Sequence, residues 1–242
     1  MERDLYERMA RTQARHWWFC ARREVLKTVV AGLGLPPNAR ILELGCGPGG
    51  NLEMLKGFGQ VEAVEMDEFA REHARMTTGV NVKRGALPDE VPFEDGRFDL
   101  VCLLDVLEHV NDDEAALAQV RRLLKADGKV LLTVPAYQWL YGAHDRAHHH
   151  YRRYRKSELE RKAGKAGLRP LRSGYYNTLL FAIVVLGRVA ERVTGTKMGD
   201  ETAIPPRWLN SILYHVFSIE RMIVRHVFFP FGTSAIAVLR PK

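Results

Sequence analysis

The stretch Ile41-Leu42-Glu43-Leu44-Gly45-Cys46-Gly47-Pro48-Gly49-Gly50-Asn51-Leu52 constrains this chain more than any other. An apolar run rich in branched residues breaks into a glycine-dense turn, and helix-compatible sequence follows. Glycine at 45, 47 and 49 lets the backbone turn tightly and come within van der Waals reach of a ligand, because no Cβ intervenes. A helix starting just beyond aims its free N–H groups and positive dipole end at that ligand. The pattern predicts a first strand over 39–44, a nucleotide-type binding turn and a helix over about 50–58.

The spacing narrows the ligand. Dinucleotide-binding turns read G-x-G-x-x-G and rest a pyrophosphate on the helix N-terminus. Here the glycines fall at every second residue and Glu43 stands two residues before the first. A carboxylate beside the turn repels a pyrophosphate and suits an amine or sulfonium that needs a counter-charge. With Glu43, Gly45, Gly47 and Gly49 the segment resembles the acidic-x-Gly-x-Gly-x-Gly motif of the class I S-adenosylmethionine-dependent methyltransferases. That resemblance implies a seven-stranded, Rossmann-like sheet, S-adenosylmethionine as cofactor and S-adenosylhomocysteine as product. It also implies a methionine-binding turn built from Glu43, Gly45, Cys46, Gly47, Gly49 and Asn51.

Later segments extend the resemblance. Val61 to Asp67 reads as a second strand ending in acid. Glu65 lies about twenty residues past the turn, where a carboxylate accepts ribose hydroxyls; Met66 adjoins it, and Asp67 suits the N-cap of a helix over 68–76. A third strand near 80–84 leads to Gly85-Ala86-Leu87, which the resemblance sets against the adenine. Family members usually carry Asp there, so backbone or Asp89 must serve instead. A fourth strand over 98–104 ends in Asp105-Val106-Leu107-Glu108-His109, similar to the family's motif ending near "LEH". Its tip faces the ligand crevice of an open α/β sheet. Asp105 and Val106 are therefore expected at the cofactor, with Glu108 and His109 beside the active site. A helix over 112–125, capped by Asp112 or Asp113, and a strand over 128–134 complete an alternation that predicts a doubly wound, mostly parallel α/β sheet.

The segment His144-Asp145-Arg146-Ala147-His148-His149-His150-Tyr151-Arg152-Arg153-Tyr154 follows the fifth strand. It resembles an HD…HxRRY pattern in a subset of these methyltransferases. His109 and His150 are candidate general bases, with His144 behind them and Asp145 orienting a histidine tautomer. Tyr151, Arg152, Arg153 and Tyr154 are candidate acceptor contacts, the arginines as a bidentate anion clamp. A metal on His144, Asp145 and a later histidine is disfavoured, because consecutive histidines diverge and no companion ligands are evident; the expectation is no metal.

The remaining chain is read as one domain over 1–242. Residues 1–36 form a helical lid, with one helix over 3–33; 37–177 is the cofactor-binding core; 178–230 is an apolar helical insertion; 231–242 is the last strand. Within His16-Trp17-Trp18-Phe19 the aromatics cannot all face one core, so Trp17 and Trp18 are candidates for covering the cleft or the acceptor. The insertion suggests helices over 178–193 and 208–226, the second with Arg221, Arg225 and His226 on an apolar helix. That composition suits a membrane surface, a hydrophobic substrate tunnel or a homodimer interface.

Net charge of +7 permits anionic lipid or phosphorylated partners without selecting among them. The fourth-strand tip lacks the Asn/Asp-Pro-Pro-aromatic motif of enzymes that methylate nucleobase amines, which disfavours nucleic acid. Cys20, Cys46 and Cys102 show no CxxC spacing, and the charged N-terminus has no apolar leader core, so a reducing cytoplasm is expected, with peripheral contact at the inner membrane surface open. The acceptor expected is a small or lipid-like molecule, anionic if the arginines clamp it, methylated on a hydroxyl, carbon or amine. Two alternatives stand: a nicotinamide-dependent oxidoreductase on the same sheet, and a non-catalytic cofactor-binding protein at a membrane surface.

Overall fold

A computed structural model of the chain describes residues 3–194 and 203–242; the part of the insertion over 195–202 lies outside the described residues. In chain order the elements are α1 (Arg3–Thr12), α2 (Trp17–Ala31), β1 (Ala39–Leu44), α3 (Leu52–Lys56), β2 (Gly59–Glu65), α4 (Glu68–Thr78), β3 (Asn81–Arg84) and β4 (Phe98–Leu104). There follow α5 (Asp113–Leu123), β5 (Leu124–Pro135), α6 (Ala143–Ala147), α7 (Lys156–Lys165), β6 (Leu168–Tyr176), α8 (Phe181–Thr194), α9 (Arg207–Ser218), α10 (Arg221–Val224) and β7 (Ser234–Pro241).

The sheet has seven strands in the order β3-β2-β1-β4-β5-β7-β6, with β7 antiparallel to both neighbours and the other pairs parallel. Strands β1 and β4 are buried along nearly their whole length, as strands covered by helices on both faces must be. One core, around Leu42, Leu103, Val120 and Leu132, lies under α5 and α7. The other, around Val25, Ile41, Leu131 and Ile236, lies under α2 and the insertion. The order reverses at β1 and β4, so their C-terminal ends open a crevice at the switch point.

Several boundaries differ from the sequence reading. The helix expected over 3–33 is two, because His16 takes extended backbone and its side chain accepts the Trp18 N–H as an N-cap. Strand β2 begins earlier, at Gly59, where a Cβ would strike the Ala39 carbonyl 2.1 Å away. Strand β5 begins at Leu124, joined to the edge of β4 through a register shift. The helix expected over 208–226 breaks at Glu220, whose buried carboxylate accepts the N–H groups of Asn177, Thr178 and Leu179. Trp17 packs edge-on against Phe217 and donates its N–H to Asn210, so the insertion's inner face covers α2. Its outer face leaves Ile183, Leu186, Trp208, Ile212 and Met222 exposed. No helix among the described residues is long and apolar enough to cross a membrane.

Candidate active site

The glycine turn takes the backbone that glycine alone adopts freely: Gly45, Gly47 and Gly49 have φ of 66°, 55° and 87°. A Cβ on Gly45 would stand 2.9 Å from Val106 at the tip of β4, and one on Gly49 would stand 2.9 Å from Ala74 of α4. Above Gly47 there is room, the nearest atom to a Cβ being Met9 Cε at 4.0 Å. The turn is anchored to β2, with the Gly45 and Cys46 N–H groups donating to the Val64 carbonyl.

Two carboxylates flank this space. Glu43 is 1% exposed; its Oε1 accepts from Asn51 Nδ2 at 2.7 Å, while its Oε2 is buried without a partner among the described residues. Burial pushes Glu43 up to about 7, despite the Asn51 hydrogen bond and the Arg22 guanidinium nearby. Glu65 closes the other side: Oε2 accepts from the Gly47 N–H at 2.8 Å and Oε1 from the Asp67 N–H at 2.9 Å. Burial raises Glu65, and those amides work against the shift. Helix α1 lies across the turn, with the Tyr6 hydroxyl 3.4 Å from Glu65 and Gln13 donating to the Pro48 carbonyl.

At the tip of β4 Asp105 has a φ of 63°, a backbone conformation uncommon outside glycine and of a kind that clusters at functional sites. It pairs with buried Arg22 at 2.7 Å, and Thr133 Oγ1 donates to it. Arg22 also reaches Thr133, the Tyr176 hydroxyl and Asn51, with its guanidinium over the Trp18 ring. One helical turn beyond, Glu108 is 1% exposed and neither carboxylate oxygen has a hydrogen-bond partner among the described residues. Burial, with Asp105 close by, raises Glu108 well above the usual carboxylate range, although the Arg22 and Arg153 charges oppose this. The His109 ring meets the His150 ring edge-on at 4.6 Å, and burial beside His150 and His148 lowers His109 to about 3, so it is neutral. His150 Nδ1 lies 2.9 Å from Asp145 Oδ1. Asp145 also accepts from the Gly142 N–H and Arg153 Nε. Burial alone would raise Asp145, but these bonds hold it far below the usual range. His144 stacks on His148 at 4.1 Å, farther from the tip.

Residues 10–173 match the family model described as a methyltransferase domain. The chain belongs to the class I S-adenosylmethionine-dependent methyltransferases. Over 148 residues it is 30% identical to a ubiquinone biosynthesis O-methyltransferase of Thiobacillus denitrificans, covering 53% of this chain and 64% of that one. Over 126 residues it is 30% identical to a sarcosine/dimethylglycine N-methyltransferase of Halorhodospira halochloris, covering 48% and 44%. The chain thus spans less than two thirds of the length of these relatives. Among solved structures, a methyltransferase of Thermotoga maritima described as a possible histamine N-methyltransferase superposes with a TM-score of 0.62 at 20% identity, covering 99% of each chain. That likeness shows the fold.

The cofactor of this methyltransferase is S-adenosylmethionine, and the residues at the crevice fit it. The unpartnered Oε2 of Glu43 suits an ammonium, and the acidic rim with its free space over Gly47 does not suit a pyrophosphate. Other sequence expectations fall elsewhere. The Ala86 N–H donates to the Glu90 carbonyl and is not available to an adenine, while Met66 is exposed at the rim. Tyr154 is fully buried, its hydroxyl donating to Asp113, so it cannot touch an acceptor. The anion clamp is corrected too: Arg152 pairs with Asp113 and Arg153 with Asp145, leaving neither fork to a ligand. Tyr151 is exposed beside them, and the Trp18 ring lies against the Arg22 guanidinium. Two features escaped the sequence reading. Arg22, visible only as part of an Arg-Arg pair after the aromatics, enters the crevice from α2. The companions that a histidine metal site would need come from the 3-10 turn Leu107–His109, some forty residues upstream of His150: Glu108, His109 and His150 gather in space.

Proposed function

We propose that this methyltransferase O-methylates a hydroxyl of a small or lipid-like acceptor presented to Glu108, His109 and His150. The observation that carries the reading is this buried carboxylate–imidazole group beside the tip of β4, with His150 held by Asp145. An alcohol or phenol must lose a proton to be methylated, and groups able to draw it off matter most for such an acceptor. The relative named an O-methyltransferase agrees with this choice, and the one named an N-methyltransferase makes an amine the natural comparison substrate.

When bound, the cofactor supplies a sulfonium methyl. Glu43 would take the ammonium of its methionine part, and Arg22, engaged by Asp105, Thr133 and Asn51, fixes the wall of the crevice beside it. Glu65, oriented by the Gly47 and Asp67 amides, accepts the ribose hydroxyls. Helix α1, through Tyr6, Met9 and Gln13, covers that end and excludes water. Asp105 and Val106 fix the floor between donor and acceptor. Most of the rate comes from alignment, for which effective molarities are worth roughly 7–11 kcal/mol. The group at Glu108 adds on the order of 10²–10⁴-fold by managing the acceptor's proton.

A panel of phenols, alcohols and amines incubated with donor labelled in the methyl group tests this. Label is expected in hydroxylated acceptors. His150→Ala should retain donor affinity within twofold while turnover falls by at least about 10²-fold. Labelling of amines alone, or donor affinity and turnover lost together, would defeat the assignment.

A further inference from the structure

Resting on the reading that the β4 tip faces the acceptor, we propose that Glu108, His109 and His150 form a divalent-metal site that binds the acceptor's hydroxyl oxygen. Donor atoms of the three residues all lie within 4.8 Å of one another. Bonds of about 2.1 Å from a tetrahedral ion separate its ligands by roughly 3.4 Å, so closing on an ion needs shifts of about an ångström.

Glu108 gives the independent reason. A carboxyl group 1% exposed whose two oxygens have no hydrogen-bond partner among the described residues is costly to bury, neutral or ionised. Nearby cations do not relieve it: Arg22 is engaged by Asp105 and Arg153 by Asp145. A cation placed between Glu108 and the two imidazoles would satisfy it.

His150 is already oriented as a ligand. Its Nδ1 bonds Asp145, which leaves Nε2 for an ion, the carboxylate–histidine–metal relay of established sites. Asp145 is itself fixed by Gly142 and Arg153, so the ring has little freedom. Two imidazoles and one carboxylate suit zinc and the late first-row divalent ions. Three protein ligands also leave a coordination position open, as catalytic sites do.

That open position takes the acceptor. Coordination acidifies the acceptor's O–H, and its proton passes to solvent. The new O–CH₃ bond then forms as the donor's S–CH₃ bond breaks, with the electron pair remaining on sulfur as a thioether. His150 is then a ligand rather than the base.

The test is titration of chelator-treated full chain with Co²⁺, followed by its visible d–d absorption, with donor affinity measured in parallel by calorimetry. One tetrahedral or five-coordinate Co²⁺ per chain, displaced by Zn²⁺, is expected. Glu108→Gln and His150→Ala should each weaken it at least tenfold, and Asp145→Asn about 10–100-fold. Glu108→Gln keeps the size of an unpartnered buried side chain and so should fold; circular dichroism checks this, and His150→Gln serves if it does not. Equal Co²⁺ affinity in wild type and these variants, or no binding below millimolar Co²⁺, overturns the site. Methyl transfer at full rate in chelator overturns the metal's role while leaving the methyltransferase reading intact. Failure to bind donor at all would sink that reading instead.

Discussion

Replacing Glu43 by Gln probes how the crevice recognises charge. Burial lifts this carboxyl from an ordinary 4.5 to about 7. At 1.36 kcal/mol per unit, holding it ionised in the folded chain costs about 3 kcal/mol. A group raised on folding contributes stability that is present below its unfolded pKa and lost as pH climbs through the folded value. Without donor, the wild type should therefore lose about 3 kcal/mol relative to Glu43→Gln between pH 4.5 and 8, seen as a divergence of the two melting curves. Donor binding should run the other way. Only the ionised carboxylate attracts the ammonium, so wild-type Kd should tighten by roughly an order of magnitude from pH 5.5 to 7.5. In Glu43→Gln the Kd should be weaker at pH 7.5 and almost flat with pH. Because Gln keeps the oxygen that accepts from Asn51, the turn itself should survive. Calorimetric titration with S-adenosylhomocysteine, which carries the same α-ammonium and carboxylate, is the assay. Parallel pH profiles for the two proteins would refute the reasoning.

Arg22→Ala leaves Asp105 without its partner, a loss of about 3 kcal/mol moderated by that side chain's partial exposure, and donor affinity should fall with it; denaturant melts and calorimetry check both. Arg22→Lys keeps the charge but loses the contacts to Thr133 and Tyr176, and should rescue folding better than binding. Asp67→Ala removes the cap on the Ala70 N–H at the start of α4, at about 1 kcal/mol, lowering Tm by a few degrees. Glu65 is held by the backbone N–H of residue 67, so donor affinity in that variant should change less than twofold.

What the sequence disclosed was local. The β1 strand, the three glycines and the Asp67 cap need only neighbouring residues, and β1 and β4 fall at the expected residues. Tertiary partners were invisible. Whether an arginine clamps a ligand or a carboxylate depends on what stands across from it; Arg152, in the loop before α7, meets Asp113 of α5, and Arg153 meets Asp145. Tyr154 reads as amphipathic, but its isolated bridge to Ala136 turns it into the core. The apolar run through 208–226 keeps helical spacing across Glu220 and gives no hint that this carboxylate folds inward to cap three distant amides.

The central claim is that carboxylates at 43 and 65 grip a cationic adenosyl donor, and calorimetric titration of wild type and Glu65→Ala with S-adenosylmethionine and NADH tests it most directly. The account requires one donor per chain, no heat from NADH, and a loss of at least about tenfold in Glu65→Ala, as expected for hydrogen bonds to a charged acceptor. Unchanged donor affinity in that variant, or NADH binding in the donor's place, would contradict it.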